Sequence, residues 1–536
     1  MSDYDVLIVG AGFAGVHQLL NLRKLGLTAK ILEAGSALGG TWAWNHYPGA
    51  RVDSDLPIYQ FSDPELWSDW NFTEKFPGWK EIQAYFEYVD KKLNLTRDVL
   101  FNSRVVSALW DDTSDKWAVT TEARRVFRGK FLVLCTGIGS KYHIPKFKGL
   151  ETFKGEVHHT SRWPAECDLA GKRVGVIGTG ATGVQVIQEI APIVDHLTVF
   201  QRTPNLAIPM RQQQVSVQEQ DKLKKDLYAV LFNRRNQTFS GFTYDLDPKR
   251  TFDATPEERM LFYEDKWEKG GFPFWLGNYG DYLSNQQAND EVYAFWRKKV
   301  LERISDPVLQ EKLAPSKPPH PFGVKRPSLE QNYFEVYSRP NVKLVDVSEY
   351  AIQEITPQGL KTNDGTEHPL DVLVLATGFD MVTGGITSID IRGQDGISIK
   401  EKWTDGIQSY LGLASATYPN MFWIYGPQSP SSFSNGPSTV ELTSEWIIDC
   451  IKYMKEHNIS TIVPTKDAQH AYSEHVDQLA STGLWFKAKS WYTGSNIEGK
   501  KQQMLQFPGG VPMYNRMCVD AAAKGYQGFD LKPLHV

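Results

Sequence analysis

A glycine-rich loop occurs twice in this chain, each time between a short apolar run and helix-like sequence. In the first copy, "VLIVGAGFAG", Gly10, Gly12 and Gly15 have the G-x-G-x-x-G spacing. Glycines so placed allow a tight turn, close approach of a pyrophosphate to the backbone, and close packing of the helix on the strand. The sequence therefore predicts a βαβ unit that binds a dinucleotide at the helix N-terminus.

The residue that ends the second strand of each unit distinguishes the two nucleotides. The first unit continues through "AKILEAG" to Glu33, whose carboxylate can accept hydrogen bonds from an adenosine ribose. The second copy, "KRVGVIGTGATG", is followed by "HLTVFQR", which ends at Arg202. A guanidinium binds a 2′-phosphate that a carboxylate would repel, so the second site is predicted to take NADPH. The alternative is that Arg202 is only a solvated cation at a strand end.

Two further apolar runs end in Thr-Gly and complete the pattern. "FLVLCTG" ends at Thr136-Gly137, and "DVLVLATG" ends at Thr377-Gly378. Each run would return the chain to a nucleotide-binding sheet with little side-chain bulk beside the ligand. We therefore predict an α/β fold with two Rossmann-like dinucleotide-binding domains, the first for FAD and the second for NADPH. Such a chain is a flavoprotein that NADPH reduces by hydride transfer.

The composition argues against several other classes of protein. The 536 residues carry a formal charge of −5 and no run of like charges, which gives no sign of nucleic-acid binding. No apolar run reaches the ~18 residues of a membrane span, and the acidic residues before Val6 argue against a signal peptide. The four cysteines form no C-x-x-C pair, which fits a reducing, cytoplasmic location and argues against a zinc ribbon or a redox dithiol.

A change in the type of sequence segment divides the chain into domains. Between Gln212 and Pro319, charged and aromatic amphipathic segments replace the short apolar strands. The predicted division is a discontinuous FAD-binding domain, a linker, a discontinuous NADPH-binding domain and a helical insertion within the latter. The FAD-binding domain covers residues 1–140 and 380–536, the linker covers 141–172, the NADPH-binding domain covers 173–211 and 320–379, and the helical insertion covers 212–319.

Two gapped motifs carry a resemblance to a known family. "FKGEVHHTSRWP" places Phe153, Gly155, His159 and Trp163 in the spacing F-x-G-x-x-x-H-x-x-x-W-P, and "GGTWAWNHYPGARVD" fits G-G-x-W-x-x-x-x-Y-P-G-x-x-x-D. Over essentially its whole length the chain resembles the type I, single-component Baeyer–Villiger monooxygenases. The related N- and S-oxygenating flavin monooxygenases have Tyr where this chain has Trp163, and they are the alternative.

The resemblance implies a reaction and a role for the first motif. Members of the family use NADPH and O₂ to insert one oxygen atom beside a ketone carbonyl through a C4a-peroxyflavin, giving an ester or a lactone; sulfide oxidation is a further expectation. The first motif is a linker that moves as NADPH repositions over the flavin, and Gly155 is expected to permit its bend. His159 is expected to be structural and not an acid or base.

Site residues follow from matching the family's motifs position by position. Arg326 in "FGVKRP" corresponds to the catalytic arginine, whose permanent charge would stabilise the anionic oxidant and the oxyanion of its adduct. Asp53 corresponds to the carboxylate that orients this arginine, and Lys325 to a contact of the NADPH 2′-phosphate. Trp491 should touch the nicotinamide half of NADP, with simple packing as its alternative. The other predicted cofactor contacts are Gly10, Gly12, Phe13, Ala14, Gly15, Glu33, Thr41, Trp42, Tyr59, Val105, Gly178, Thr179, Gly180, Ala181, Thr182, Gly183, Arg202, Thr203, Thr377 and Gly378.

The predicted partners are a small ketone and O₂, without nucleic acid or membrane, and the chain is expected to be a monomer or a weak homo-oligomer. The segment "QSPSSFSNGPST" has Gly436-Pro437 where relatives carry longer side chains, so substrate preference does not transfer; aliphatic or small cyclic ketones are favoured. A non-catalytic NADPH-binding protein and an NADPH oxidase that releases peroxide remain as other classes. A flavin disulfide reductase is disfavoured because the sequence has no suitably spaced dithiol.

Overall fold

The computed structural model describes residues 2–534, and its largest sheet carries the first glycine loop. The β-branched run before that loop forms the strand Ser2–Val9, which lies parallel to Ala29–Leu32 and to Val126–Leu134. Antiparallel neighbours extend the sheet on one side. In spatial order its strands are Asp390–Arg392, Val105–Asp111, Lys116–Thr121, Val126–Leu134, Ser2–Val9, Ala29–Leu32 and Val99–Leu100, and Met421–Trp423 also pairs with Val126–Leu134.

The second glycine loop belongs to a separate sheet of five parallel strands. Residues 156–159, within the linker motif, form its edge strand and pair with the strand Val372–Leu375. In spatial order the strands are Val342–Asp346, His196–Gln201, Arg173–Ile177, Val372–Leu375 and Glu156–His159. Because the carboxyl ends of parallel strands meet at one edge, Gly178 and Thr377 lie at the same edge of this sheet.

Helices dominate the chain between residues 217 and 313, which we call the helical segment. Its helices begin at well-formed caps: Ser216 and Thr255 each make a capping box, with Glu219 and Glu258 respectively. Arg235 pairs with the buried carboxylate of Glu441, and this ion pair ties the helical segment to the helix Gly436–Glu456. The helices of the segment are Val217–Leu223, the π-helical Lys224–Tyr228, Ala229–Arg234, Pro256–Lys269, Pro273–Leu276, Gln286–Leu301 and Pro307–Leu313.

The remaining elements surround the two large sheets. The other helices are Phe13–Lys24, Thr41–Trp44, Pro64–Trp67, Trp79–Leu93, Ala181–Ile190, Tyr333–Val336, Gly384–Thr387, Ile399–Lys402, Gly436–Glu456, Lys466–Ser481 and Val511–Ala523. Short 3₁₀ turns lie at Thr96–Asp98, Leu150–Thr152, Thr160–Arg162, Arg235–Gln237, Thr251–Asp253, Gly280–Leu283, Trp485–Lys487 and Trp491–Thr493. Three small sheets pair Ile208–Pro209 with Leu329–Glu330, Ile459–Pro464 with Phe529–Pro533, and Ile352–Thr356 with Gly359–Thr362 and Glu367–Pro369.

One large apolar core runs from the first sheet through the second sheet into the helical segment, with Ile8, Val176 and Trp296 all fully buried in it. All four cysteines are free thiols. Within residues 2–534, no helix combines the length and the apolarity that crossing a bilayer requires.

Candidate active site

A cavity of about 380 Å³ lies against the first glycine loop. It sits at the carboxyl ends of the parallel strands of the first sheet, where α/β folds bind their ligands. Nine of the predicted FAD contacts line it: Gly10, Gly12, Phe13, Ala14, Glu33, Thr41, Trp42, Tyr59 and Val105. The structure thus brings together residues that are far apart in the sequence, in a space bounded by backbone and aromatic rings.

The backbone of the first loop leaves room for a ligand. Gly10 has φ +105°, and a Cβ at Gly15 would overlap the carbonyl oxygen of Gly10, so strand and helix pack in direct contact. Gly12 caps the helix Phe13–Lys24 without any side-chain hydrogen bond, which leaves the first helical N–H groups available to a phosphate. The cavity therefore meets a bare helix N-terminus.

The carboxylate of Glu33 is fixed at the edge of this cavity. It accepts the backbone N–H of Ala11 at 2.7 Å and that of Gly35 at 2.6 Å, and the residue is 4% exposed. Two carboxylate oxygens offer about four acceptor positions, so two remain for ribose hydroxyls. Its geometry is consistent with the predicted ribose contact.

Sequence reasoning missed several cavity residues, among them two arginines. Arg162 lies over the ring of Trp44 with Cζ 4.2 Å from the ring centre, and Arg104 lies 6.0 Å from the same ring. Neither forms a salt bridge with any residue between 2 and 534, so both are free to neutralise phosphate charge. Arg104 lies in no motif, and Arg162 occupies an unspecified position of the linker motif. Thr136 and Gly137, which also line the cavity, were marked in the sequence as the end of an apolar strand.

The second loop repeats the geometry of the first. Gly178 has φ +107°, and a Cβ at Gly183 would overlap the carbonyl oxygen of Gly178. Gly180, the N-cap of the helix Ala181–Ile190, has no heavy atom within 4 Å of a built Cβ. The protein itself therefore does not require a glycine at that position, whereas a bound pyrophosphate would. Thr179 donates its hydroxyl to the carbonyl of Thr203 at 2.9 Å, joining the loop to the next strand end.

Two cations meet beside this second loop. Burial and the nearby Arg202 lower the pKa of Lys325 to about 8. Neither side chain makes a salt bridge with any described residue, so their charges repel each other with no anion between them. Such a pair is suited to a dianionic phosphate.

The second gapped motif connects the two loops. Its start lines the first cavity, and its middle packs on the helix Ala181–Ile190: Tyr47 donates its hydroxyl to Gln185 Oε1 at 2.8 Å, and Gln185 Nε2 donates to the carbonyl of Arg51 at 3.1 Å. A Cβ at Gly49 would lie 2.7 Å from the carbonyl oxygen of Gln185. The motif spacing thus reflects one segment that crosses from one nucleotide loop to the other.

The motif ends at Asp53, which holds Arg326 in a bidentate ion pair. Arg326 Nε donates to Asp53 Oδ2 at 2.6 Å and Nη2 donates to Oδ1 at 2.7 Å, while Nη1 donates to the carbonyl of Ser432 at 3.1 Å. Burial disfavours the charge, but the Asp53 carboxylate raises the pKa of Arg326 above its ordinary value. The guanidinium is therefore a permanent cation in a fixed plane.

This ion pair lies next to aromatic rings and outside the cavity lining. The guanidinium lies 4.7 Å from the ring centre of Phe272, and neither Arg326 nor Asp53 lines the cavity itself. Tyr59 and Tyr425 do line the cavity, and the charges of Asp53 and Arg326 affect the pKa values of both tyrosines. Burial raises the pKa of Tyr425 to about 12, although the Arg326 charge acts to lower it. The ion pair thus lies at the end of the cavity marked by these two tyrosines.

Trp491, Thr377 and Gly378 also lie outside the cavity lining. Trp491 packs edge-on against Tyr492 at 4.5 Å, and Tyr492 in turn feels the charge of Arg326. Thr377 donates its hydroxyl to the carbonyl of His143 at 2.6 Å, and Gly378 follows it with φ +80°. Thr377 and Gly378 belong to the end of a strand in the second sheet, at the junction with the linker.

The linker motif is anchored to the second sheet. Gly155 lies at a bend of the backbone, as predicted, although its φ is not positive. Glycine is also needed there because a Cβ would overlap the carbonyl oxygen of Asp371. His159 is buried, contacts Ser161 Oγ at 2.9 Å through Nδ1, and burial lowers its pKa to about 4, consistent with a structural role. The carbonyl of Trp163 contacts His46 Nε2 at 2.7 Å, which joins the linker to the second motif.

The site combines two dinucleotide loops, a cavity at the first loop, a cation pair at the second loop and an arginine–carboxylate pair. This combination defines a flavin- and NADPH-dependent oxidoreductase. A family model described as flavin-binding monooxygenase-like matches residues 4–214. The chain is 47% identical to cyclopentanone 1,2-monooxygenase of Comamonas sp. over 98% of its own length and 96% of that protein.

Solved structures agree with this match. A closed crystal structure of cyclohexanone monooxygenase superposes with a TM-score of 0.96 at 39% identity, covering 99% of this chain and 100% of that one. OTEMO in complex with FAD and NADP superposes with a TM-score of 0.94 at 37% identity, covering 98% and 99%. The chain belongs to the type I Baeyer–Villiger monooxygenases. It is an FAD-dependent enzyme that uses NADPH and O₂ to insert one oxygen atom beside a ketone carbonyl.

Proposed function

We propose that this enzyme converts small cyclic ketones to lactones and that Arg326, fixed by Asp53, is the cation that makes the insertion possible. The bidentate pair carries the proposal, because it holds a permanent positive charge beside the cavity without neutralising it by proton transfer. The two separate sheets, each with its own glycine loop, support the predicted domain division, with the first sheet for FAD and the second for NADPH.

The residues at the first cavity suit FAD. When bound, FAD supplies the redox chemistry: it takes a hydride from NADPH and activates O₂. Gly10, Gly12 and the open helix N-terminus would hold the pyrophosphate, and Glu33 would hold the adenosine ribose. Thr41, Trp42 and Tyr59 would enclose the ring system, and the Trp42 Nε1–H, which donates to the Tyr59 hydroxyl at 3.1 Å, would keep these two rings in register.

The residues at the second loop suit NADPH over NADH. Lys325 and Arg202 would bind the 2′-phosphate, which relieves the repulsion between them. Gly178, Gly180 and Gly183, with Ala181 and Thr182 in the first helical turn, would hold the pyrophosphate. Trp491 would lie toward the nicotinamide, and Thr377 with Gly378 would keep that edge of the sheet free of bulk.

Arg326 has the properties that oxygen insertion requires. Negative charge develops on the ketone oxygen as its carbon becomes tetrahedral, and a fixed donor cation in a dry site stabilises that charge strongly. Phe272 shields one face of the guanidinium from water, and Asp53 takes only Nε and Nη2, so Nη1 can exchange the Ser432 carbonyl for a substrate oxygen.

The pocket near Arg326 favours a compact ring as substrate. Phe433 and Tyr492 pack edge-on at 5.0 Å, and Tyr425, Gly436 and Pro437 border the cavity, so its walls are aromatic and short. The similarity to cyclopentanone 1,2-monooxygenase supports a cyclopentanone-sized ketone. Sulfides would be a secondary substrate class, and N-oxygenation is the competing function, since one relative is a phenazine N-monooxygenase.

Product identification tests the proposal. The purified FAD-loaded enzyme would be given NADPH, air and matched substrates: cyclopentanone, cyclohexanone, 2-butanone, a thioether and a tertiary amine. We expect lactones from the two cyclic ketones, with the highest kcat/KM for one of them, and a mass gain of one oxygen. Amine or thioether oxygenation without any lactone would refute the proposal in favour of the N- and S-oxygenating function.

We further propose a cytoplasmic monomer or weak homo-oligomer. The free state of all four cysteines supports a reducing compartment. Light scattering of the FAD-loaded protein tests the oligomeric state between about 1 and 50 µM, roughly the range in which weak association would appear. A dimer mass that does not depend on concentration would contradict a monomer or weak homo-oligomer.

A further inference from the structure

The loop that carries both functional cations is anchored at one end. We call residues 320–327 the arginine loop. Residues 320–324 are buried, whereas Lys325 and Arg326 are only partly so. Lys325 lies near Arg202 and Arg326 binds Asp53, so a single loop serves two different sites. Whatever holds the buried end therefore sets the position of both cations.

The side-chain amide of Asn289 both donates a hydrogen bond to the backbone of this loop and accepts one from it. Its Nδ2 donates to the Phe322 carbonyl at 2.9 Å, and its Oδ1 accepts the Phe322 N–H at 2.7 Å. The second Nδ2 hydrogen goes to the Tyr282 carbonyl at 3.0 Å. Asn289 is 1% exposed, so water does not compete for these bonds. The amide pairs with Phe322 as a neighbouring β-strand would.

Trp275 holds the next residue of the loop. Its Nε1 donates to the Gly323 carbonyl at 3.0 Å, and its own carbonyl accepts the Tyr282 hydroxyl at 2.8 Å. Gly323 has φ +78°, and a Cβ there would lie 2.7 Å from the Tyr282 hydroxyl and 2.9 Å from Trp275 Cδ1. The Trp275 ring also lies 5.7 Å from the Arg326 guanidinium carbon. Gly323 is therefore fixed by a hydrogen bond, by packing and by its backbone conformation.

We propose that Asn289 and Trp275 are positioning residues for the reaction, through which the helical segment sets the alignment of Arg326 with the ketone and of Lys325 with NADPH. This inference rests on the roles proposed above for those two cations. Both positioning residues belong to the helical segment, outside the two nucleotide-binding sheets. The helical segment is thus part of the active site although it lines none of the FAD cavity.

Coupling between NADPH consumption and product reports on the position of Arg326. In the coupled reaction, NADPH, H⁺, O₂ and ketone give NADP⁺, H₂O and ester. When insertion fails, NADPH, H⁺ and O₂ give NADP⁺ and H₂O₂, with the same two electrons transferred. Displacing Arg326 should therefore lower the yield of ester and raise the yield of H₂O₂ per NADPH, while hydride transfer to the flavin continues.

The variant Asn289→Asp tests the proposal without changing side-chain size. It replaces the amide donor by an oxygen that faces the carbonyls of Phe322 and Tyr282. We expect ester per NADPH to fall about tenfold, because misplacing a catalytic group by about 1 Å costs up to about a hundredfold. Peroxide should make up the difference, and the preference for NADPH over NADH should decline in parallel.

Asn278→Asp is the matched control. Asn278 lies in the same segment, is fully buried, donates to the Phe274 carbonyl at 3.0 Å and accepts the Tyr279 N–H at 2.8 Å. Its side chain makes no hydrogen bond to the arginine loop, so its variant should keep wild-type coupling and nucleotide preference whatever its stability. Trp275→Phe, which removes the indole donor to Gly323 together with part of the buried ring, provides a second test if Asn289→Asp does not fold.

The outcomes separate the possibilities. Uncoupling in Asn289→Asp and Trp275→Phe but not in Asn278→Asp supports the proposal. Wild-type coupling and preference in both variants, or equal losses in Asn278→Asp, would overturn it. Arg326→Ala is measured alongside: if that variant itself forms ester normally, the proposed role of Arg326 fails, which is a different result from a failure of the positioning residues.

Discussion

Replacing Lys325 by Met should weaken the use of NADPH and at the same time stabilise the protein without nucleotide. Lys325 is partly buried beside Arg202, and both effects lower its pKa to about 8. A buried ammonium with no counter-ion costs folding free energy. Methionine keeps most of the side-chain volume and removes the charge.

The pH dependence follows from the direction of the pKa change. The folded-state pKa is below the ordinary value of 10.5, so the protonated lysine destabilises the folded state fully below about pH 8, and this cost declines as the pH rises from about 8 to 10.5. At about 1.4 kcal/mol for each pKa unit, Lys325→Met should gain up to about 3 kcal/mol at pH 7 and less at pH 9. In contrast, losing one charged contact to the 2′-phosphate should weaken binding by about 1.5–3 kcal/mol, or ten- to about a hundredfold.

Thermal unfolding of the FAD-loaded protein, followed by flavin fluorescence, measures both effects. Without nucleotide, Lys325→Met should unfold at a higher temperature than wild type, and the difference should be smaller at pH 9 than at pH 7. With 2′,5′-ADP, wild type should gain stability and the variant should gain little. Lys317→Met, an exposed lysine near the same loop, is the control and should change neither quantity. A variant that is less stable without nucleotide, or that responds to 2′,5′-ADP like wild type, would refute the reasoning.

Three further outcomes follow from single contacts. Glu33→Gln should weaken FAD binding about ten- to a hundredfold, because one buried backbone N–H would face an amide donor at about 1–3 kcal/mol cost; an unchanged Kd in flavin-fluorescence titration would contradict this. Gly155→Ala should destabilise the protein by about 1–3 kcal/mol in denaturant unfolding, because its Cβ would overlap the carbonyl oxygen of Asp371; wild-type stability would show that this contact is not tight. His159→Asn should leave the shape of the kcat–pH profile between pH 6 and about 9 unchanged, because a pKa of about 4 keeps the histidine neutral there; loss of an ionisation in that range would assign it an acid–base role.

Local patterns predicted the parts of the fold that local physics determines. The strands before each glycine loop, the helices after them and the strand ends at Glu33 and Arg202 lie where the alternation of apolar runs and glycines placed them. In these units the backbone conformation of a few glycines fixes the geometry, so the sequence pattern and the structure have the same cause.

Long-range packing accounts for what the sequence did not reveal. Arg104 and Arg162 line the cavity, but Arg104 stands in no motif and Arg162 occupies a position that the linker motif leaves unspecified. The second reason for a glycine at position 155 was not visible in the sequence, because the carbonyl that approaches it belongs to Asp371, over two hundred residues away. The hydrogen bonds from Asn289 to the arginine loop likewise connect a helix to a loop that no periodicity relates. Arg326 and Asp53 could be paired only through the resemblance to a family.

Single-turnover product analysis of Arg326→Ala tests most directly whether this guanidinium enables oxygen insertion. Flavin in the variant would be reduced by NADPH, mixed with air and cyclopentanone, and the lactone and peroxide formed per flavin would be counted. Reduction at close to the wild-type rate with no lactone and nearly one peroxide per flavin is the expected result. Lactone at the wild-type yield would contradict the account.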